Sequence, residues 1–382
     1  MANEPITREE MLLNAVATGE VANLEPITRE EMFLAKLGGA DVTTPIPITR
    51  KEQFLQKAIE GGSGGSGGSG VTGEFVLCGE ATEVADNAFS ENKAITGIDL
   101  PKAAKIGDKA FFMCSNLRNV KTKNNVTIGD YAFQHTAIQT IKLNYAILGK
   151  GAFSSCPELM RIESDALGSY TLMEVAEATF SGCVKLESIE GVGLIRVLPS
   201  YVFERCNAFK LPDIPYVERI EAYACNDCIS ATNLNAIAVV TIGEAAFENC
   251  TSLNFIDTPV LESIGERAFE NCTSLASVDL PMATSISDGA FYGCTNLSAL
   301  ILRNAETVCQ ISVTAVLNTK IVTAEGAPTG EGFIYVPTAL FEDYVSNFVM
   351  QIVAGFGLDE ATAEYIARAI LRKIEDYPEI CG

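Results

Sequence analysis

From Val84 to Cys294 one motif, I-G-[D/E]-x-A-F-x-x-C, returns about every 22 residues. Its phenylalanines are Phe89, Phe111, Phe133, Phe153, Phe180, Phe203, Phe247, Phe269 and Phe291, with Cys225 standing in the remaining place. A fixed period of this length confines the chain to a solenoid, because one repeat can bury its apolar face only against its neighbours. Such a body presents a long surface. The repeat itself suggests no chemistry, so the first expectation is binding or scaffolding.

A regular unit runs Ile264-Gly-Glu-Arg-Ala-Phe269-Glu-Asn-Cys272-Thr-Ser-Leu275-Ala-Ser-Val278-Asp-Leu280-Pro281. Its Ala-Phe-x-x-Cys-x-x-Leu part has helical spacing, and Leu-x-x-Val-x-Leu-Pro reads as turn plus strand. Each coil is therefore predicted to hold one helical turn and one or two short strands, an α/β solenoid. About ten coils spaced at about 4.8 Å give a body roughly 50 Å long. Of twelve cysteines, eight occupy one repeat position: 114, 156, 183, 206, 228, 250, 272 and 294. A column of small, slightly polar residues reads as core with free thiols, although stacked coils also lie close enough for bridges.

Three further zones flank the array. Residues 1–60 carry a different repeat, Glu4-Pro-Ile-Thr-Arg-Glu-Glu10, Glu25-Pro-Ile-Thr-Arg-Glu-Glu31 and Ile46-Pro-Ile-Thr-Arg-Lys-Glu52. Thr7, Thr28 and Thr49 each form a capping box with Glu10, Glu31 and Glu52, so three short helices are predicted. Helices of roughly ten residues are marginal alone. They form either a small helical subdomain or three copies of a docking peptide, with Thr7, Arg8, Thr28, Arg29, Thr49 and Arg50 as candidate contacts. Residues 61–70 are a glycine–serine linker with a reach of roughly 16–19 Å, read as a natural tether but compatible with an engineered scar. The solenoid occupies 71–325. In 326–382, Gly332–Pro337 reads as a strand that stops stacking. Two helices follow, broken at Gly355-Phe-Gly357, the second capped by Asp359 and striped by Ala363, Ile366, Ala367, Ile370 and Leu371. This segment is a solenoid cap or an oligomerisation helix, so self-association is left open.

The chain carries 27 basic and 49 acidic residues, a net charge of −22, which disfavours nucleic acid. The N-terminal sequence is acidic where a signal peptide needs a basic and then an apolar run. The longest apolar stretch, around Phe348–Leu358, is too short to span a bilayer. These features predict a product made in a cytosol without membrane insertion. The single histidine, His135, falls at a variable repeat position and is expected to be exposed. It has no base or orienting partner by spacing, and one histidine excludes multi-histidine metal sites. Cys225-Asn-Asp-Cys228 matches a redox or zinc pair, but the repeat accounts for both residues as core. The acidic column Asp86, Asp108, Asp130, Glu177, Glu244, Glu266 and Asp288 reads as helix capping rather than a calcium ladder. No nucleotide motif is present. The expectation is a non-enzyme without cofactor or metal.

The period fails between Phe133 and Phe203, where the phenylalanine intervals become 20, 27 and 23. Insertions in a solenoid map to loops on one face, often the binding face. Tyr145, Tyr170 and Tyr201 fall here and Tyr216 and Tyr223 just after it, and the five are candidate partner-binding residues; repeat decay accounts for the same irregularity.

The I-G-x-x-A-F-x-x-C-x-x-L framework resembles the BspA-type leucine-rich repeat over about 230 residues. The I-T-R segments, the linker and the closing Ile374-Glu-Asp-Tyr-Pro-Glu-Ile380 are similar to tail-associated proteins of phages and prophages from anaerobic gut bacteria. That resemblance implies a virion tail or baseplate accessory protein, attached through 1–60 to other tail proteins. Its solenoid would bind a bacterial surface protein or glycan. This chain lacks the tryptophan often found in the family's C-terminal segment. The alternative is a bacterial leucine-rich-repeat surface adhesin.

Overall fold

A computed structural model describes residues 76–78, 82–164, 172–190 and 195–378. Thr7, Arg8, Thr28, Arg29, Thr49, Arg50, Tyr170 and the predicted N-terminal helices lie outside the described residues. Within them the chain winds as a parallel β-solenoid of ten coils with a degenerate eleventh, each coil adding one strand to each of two rows except the sixth, which adds none to the second.

The first row runs through the Ile-Gly positions. Glu83–Val84, Lys105–Ile106, Thr127–Ile128, Ala146–Leu148 and Leu172–Val175 form one parallel sheet, and Val197–Leu198 through Gln310–Ile311 form a second. Register is set by the isoleucines, Ile106 beside Ile128 and Ile242 beside Ile264 and Ile286. Alternation turns them inward, with the preceding residue outward. The second row holds longer strands, as in Gly97–Leu100, Asn119–Thr122, Ser277–Leu280 and Ala299–Leu302.

The corner from first to second strand is not helical, contrary to the spacing of Ala-Phe-x-x-Cys. Two residues per corner are left-handed: Lys109 (φ 53°) and Met113 (φ 57°) in coil two, Ala245 (φ 50°) and Asn249 (φ 62°) in coil eight. The N–H groups of Ala110, Phe112 and Cys114 close tight turns on Gly107, Lys109 and Phe111, while those of Lys109, Phe111 and Met113 cross to Asp130, Ala132 and Gln134 of the next coil, each at 2.8 Å. A lone helical turn is costly to nucleate and leaves its first four donors unpaired. Sending alternate donors to the next coil satisfies them without a helix.

Behind this corner the phenylalanines stack. Ring centroids from Phe89 to Phe203 are 5.2–5.8 Å apart with planes within 13°, and Phe247, Phe269 and Phe291 repeat this at 5.4 Å. Where Cys225 breaks the stack, Phe209 of the preceding coil replaces the usual leucine and lies 4.3 Å from Phe203. All ten described cysteines are buried and unbridged. The eight of the column each donate a thiol hydrogen to the main-chain carbonyl at the phenylalanine position one coil earlier, as Cys114 does to Phe89 at 2.9 Å and Cys272 to Phe247 at 3.2 Å.

The first three acids of the column cap coils rather than helices, while Glu177, Glu244 and Asp288 accept from side chains of Lys150, Tyr223 and Ser312. Asp86, Asp108 and Asp130 accept the N–H of Asp108, Asp130 and Lys150 at 3.0, 2.9 and 2.8 Å. The preceding glycine makes room: a Cβ at Gly107 would sit 2.5 Å from Asp86 Oδ1.

In the eleventh coil a 3-10 turn, Val313–Val316, replaces the corner. Phe333–Val336 does not stop stacking. It pairs with Ala299–Leu302 on one side and Leu371–Lys373 on the other. Helix α1, Phe341–Phe356, buries Tyr344, Val345, Phe348 and Ile352 against the last coils. Tyr344 Oη accepts the Cys309 N–H at 2.9 Å, and Gln351 bonds Val313 N–H and Ile311 C=O, both at 2.9 Å. Gly357 (φ 66°) ends α1, and Asp359 caps α2, Glu360–Ile370, by accepting from Thr362 N–H at 2.9 Å. Leu371, read as helical from its spacing, begins the terminal strand.

Candidate functional site

The corner carries three outward columns. The residue before Ala-Phe supplies the first left-handed column, Asn87, Lys109, Tyr131, Gly151, Ala178, Tyr201, Tyr223, Ala245, Arg267 and Gly289, of which Gly151 and Ala245 are covered by neighbours. The residue before the cysteine position supplies the second, which includes Met113, His135, Ser155, Gly182, Arg205, Asp227, Asn249 and Asn271. The residue after phenylalanine lies between them. Buried columns repeat one residue type, whereas these three change at almost every coil.

Tyr201 (φ 60°) and Tyr223 (φ 59°) are adjacent in the first column, their rings parallel at 5.0 Å and 4°. Tyr223 donates to Glu244 Oε1 at 2.6 Å; that hydrogen bond, then partial desolvation and the nearby negative charge, pushes its phenol up to about 12. Beside it Arg267 meets Glu248 at 2.8 Å and Glu270 at 2.5 Å. Glu248 also accepts from Asn226 at 3.0 Å, and desolvation raises its carboxyl against the pull of Arg267. Arg205 lies 3.8 Å from Glu204 and 3.9 Å from Asp227. Asparagines continue the second column: Asn249 donates to Asp227 and Asn271 to Asn249, each at 2.9 Å.

The other predicted tyrosines do not join this cluster. Tyr145 and Tyr216 are exposed on the opposite corner, where the second strand of one coil returns to the first strand of the next. The predicted group is therefore divided between two corners. Aligning the repeats by column, instead of counting tyrosines along the chain, separates the two sets and adds Tyr131, Glu248 and Arg267 to the first.

His135 is exposed in the second column, its ring edge-on to Phe112 at 6.3 Å. Cys225 and Cys228 are fully buried, and burial above all pushes the Cys228 thiol well above its ordinary range, as it does for Cys206, Cys250 and Cys272. Such thiols are poor nucleophiles. Among the described residues no three His, Cys, Asp or Glu side chains gather as a metal site, and no helix is long and apolar enough to cross a membrane.

The sequence profile of the BspA-type leucine-rich repeat region, in six copies, matches residues 82–211 and 218–342. Similar solved structures include a leucine-rich repeat protein from Bacteroides ovatus (20% identity, 71% of this chain and 86% of that one, TM-score 0.32). Another is a leucine-rich repeat protein from Eubacterium ventriosum (18%, 64% and 82%, TM-score 0.39). A third is a leucine-rich cell surface protein from Faecalibacterium prausnitzii (18%, 66% and 82%, TM-score 0.31). A search of proteins with curated descriptions returns no match. Nothing in these comparisons supports the phage-tail resemblance. With the profile matched over more than half its length, the chain belongs to the BspA-type leucine-rich repeat family.

Proposed function

We propose that the chain is a non-enzymatic binding protein that engages a surface component of a bacterial cell, in the manner of a leucine-rich-repeat adhesin. One observation carries the reading: buried columns hold one residue type from coil to coil, while the three outward corner columns vary. That division suits a rigid rod presenting a composed surface. The variable columns gather aromatic and arginine side chains at Tyr201, Tyr223 and Arg267, types enriched where proteins recognise partners. Family membership fits this use of the fold, although fold alone assigns no function.

The test is attachment of the labelled full chain to intact bacteria. Binding that falls at least tenfold in a Tyr201→Ala/Tyr223→Ala/Arg267→Ala variant of unchanged melting temperature supports the reading. Undiminished binding by that variant, or release of a hydrolysed surface product, overturns it. A second reading, virion attachment through residues 1–60, rests on the three I-T-R repeats spaced by 21 residues. Co-sedimentation of the chain with phage particles, lost when residues 1–60 are removed, is the outcome it requires.

A further inference from the structure

The corner changes character at coils four and five. The first column passes from Tyr131 through Gly151 and Ala178 to Tyr201; the second passes from His135 through Ser155 and Gly182 to Arg205. Between them stand Ser154 and Ser181. No side chain larger than serine or alanine arises in these columns for two coils; in the first of them the Tyr131 ring lies over the buried Gly151, and over Ala178 and Gly182 the surface is left as a trough. Tyr131 and Tyr201 are three coil spacings apart, about 14 Å. Tyr223 covers the downstream face of Tyr201, so its upstream face looks onto the trough. From the other side Tyr131 leans over Gly151: a Cβ at Gly151 would sit 2.7 Å from its ring atoms Cδ1 and Cε1.

Small residues alone do not make a site; Ser154 supplies the independent observation. It is only 6% exposed, and its Oγ has no hydrogen-bond partner among the described residues. That oxygen lies 3.2 Å from the Cβ position of Gly151, a point that two atoms of the Tyr131 ring approach to 2.7 Å, so this ring covers the hydroxyl at the upstream end of the trough. A buried hydroxyl without a partner needs a reason. The neighbouring hydroxyls are arranged differently, since Ser181 Oγ donates to Glu204 at 2.9 Å.

The ligand class follows from the surroundings. The walls are aromatic faces and the floor offers hydroxyls. The rim charges are neutralised in pairs, Lys150 with Glu177 at 2.9 Å and Arg205 beside Glu204 and Asp227. The net charge of −22 opposes an anion, and the rim acids already have partners. We infer that the trough binds one residue of a neutral glycan, its apolar ring face on Tyr201 and one hydroxyl on Ser154 Oγ once the Tyr131 ring swings aside. This rests on the binding reading above and names its ligand.

The experiment uses the full chain and neutral glucose-, galactose- and mannose-based oligosaccharides at millimolar concentration. The chain contains no tryptophan and eleven tyrosines, so the change in tyrosine emission is assigned by its loss in Tyr131→Phe and Tyr201→Phe, and calorimetry supplies the affinity. Two variants spare the fold. Ala178→Tyr places in the trough a side chain that this column already carries at Tyr131, Tyr201 and Tyr223 in the same left-handed conformation. Ser154→Ala removes only the unpartnered hydroxyl.

The expected result is saturable quenching by at least one sugar series, weakened at least tenfold by either variant, with melting temperatures equal to or above wild type. Absence of binding across all three series, or affinity unchanged in both variants, overturns the glycan site. Attachment to cells that survives periodate but is lost on protease treatment also overturns it, in favour of a protein ligand. Cell attachment separates the two claims. If wild type and Ala178→Tyr attach equally, the trough is wrong and the binding reading stands; if neither attaches, the binding reading itself falls.

Discussion

The thiol of Cys272 lies 3.2 Å from the Phe247 carbonyl oxygen, and seven other cysteines repeat this contact along the rod. Burial of the column was legible in the sequence from its period; the donor role was not, because a small core residue and a thiol donor leave the same letter. In coil three Thr136 takes the position, 3.2 Å from Cys156 Sγ. Cys272→Ala is therefore expected to lower unfolding free energy by about 1–2 kcal/mol in urea titration, and Cys272→Thr by clearly less. Tyr223 gives a second test. Its folded pKa, about 12, lies above the ordinary tyrosine value of about 10. The folded chain thus keeps a proton that the unfolded chain loses, and the stabilisation is complete below pH 10 and lost as pH rises towards 12. Absorbance titration should show a late-ionising tyrosine that Tyr223→Phe removes, with a flatter alkaline loss of stability.

At the scale of the element, the corner was misread for an identifiable reason. A helical turn and a pair of tight turns both bring residues three apart to one side, so Ala-Phe-x-x-Cys fits either. The discriminating signal was in the outward positions: Asn87, Gly151, Gly182, Asp227, Asn249, Asn271, Gly289 and Gly293 are residue types that tolerate positive φ. Asn249→Val places a β-branched side chain at φ 62° and removes the amide between Asp227 and Asn271. A loss of about 1–3 kcal/mol is expected in denaturant unfolding, with Asn249→Gly retaining more than Asn249→Val. The C-terminal helices were better marked, because Asp359 and Gly357 are local start and stop signals. The exception is Leu371: its pairing with Ile334 is a long-range contact that no local periodicity reports.

Across the whole molecule, the two strand rows lose continuity in the same region. The first row divides between Leu172–Val175 and Val197–Leu198, and the second between Ser188–Ile189 and Asn233–Asn235, with a further break in the second alone between Phe255–Asp257 and Ser277–Leu280. The corner continues through it, with Ala178, Phe180 and Gly182 N–H bonded to Ser200, Val202 and Glu204 at 2.9, 3.0 and 2.7 Å. Amide hydrogen exchange should accordingly resolve two cooperative blocks meeting near coils five and six, the corner amides there outlasting the strand amides beside them. A single global exchange event would show the rod to be one unit. The sequence marked this junction by its irregular intervals but gave no hint of what bridges it. Where the intervals are regular, each coil hands the next the same set of donors, acceptors and rings. A duplicated or deleted 22-residue unit among coils eight to ten would change the rod's length by about 4.8 Å and leave every remaining neighbour contact of the same kind. Inheritance can thus adjust the molecule's reach in whole steps, without redesigning its interior.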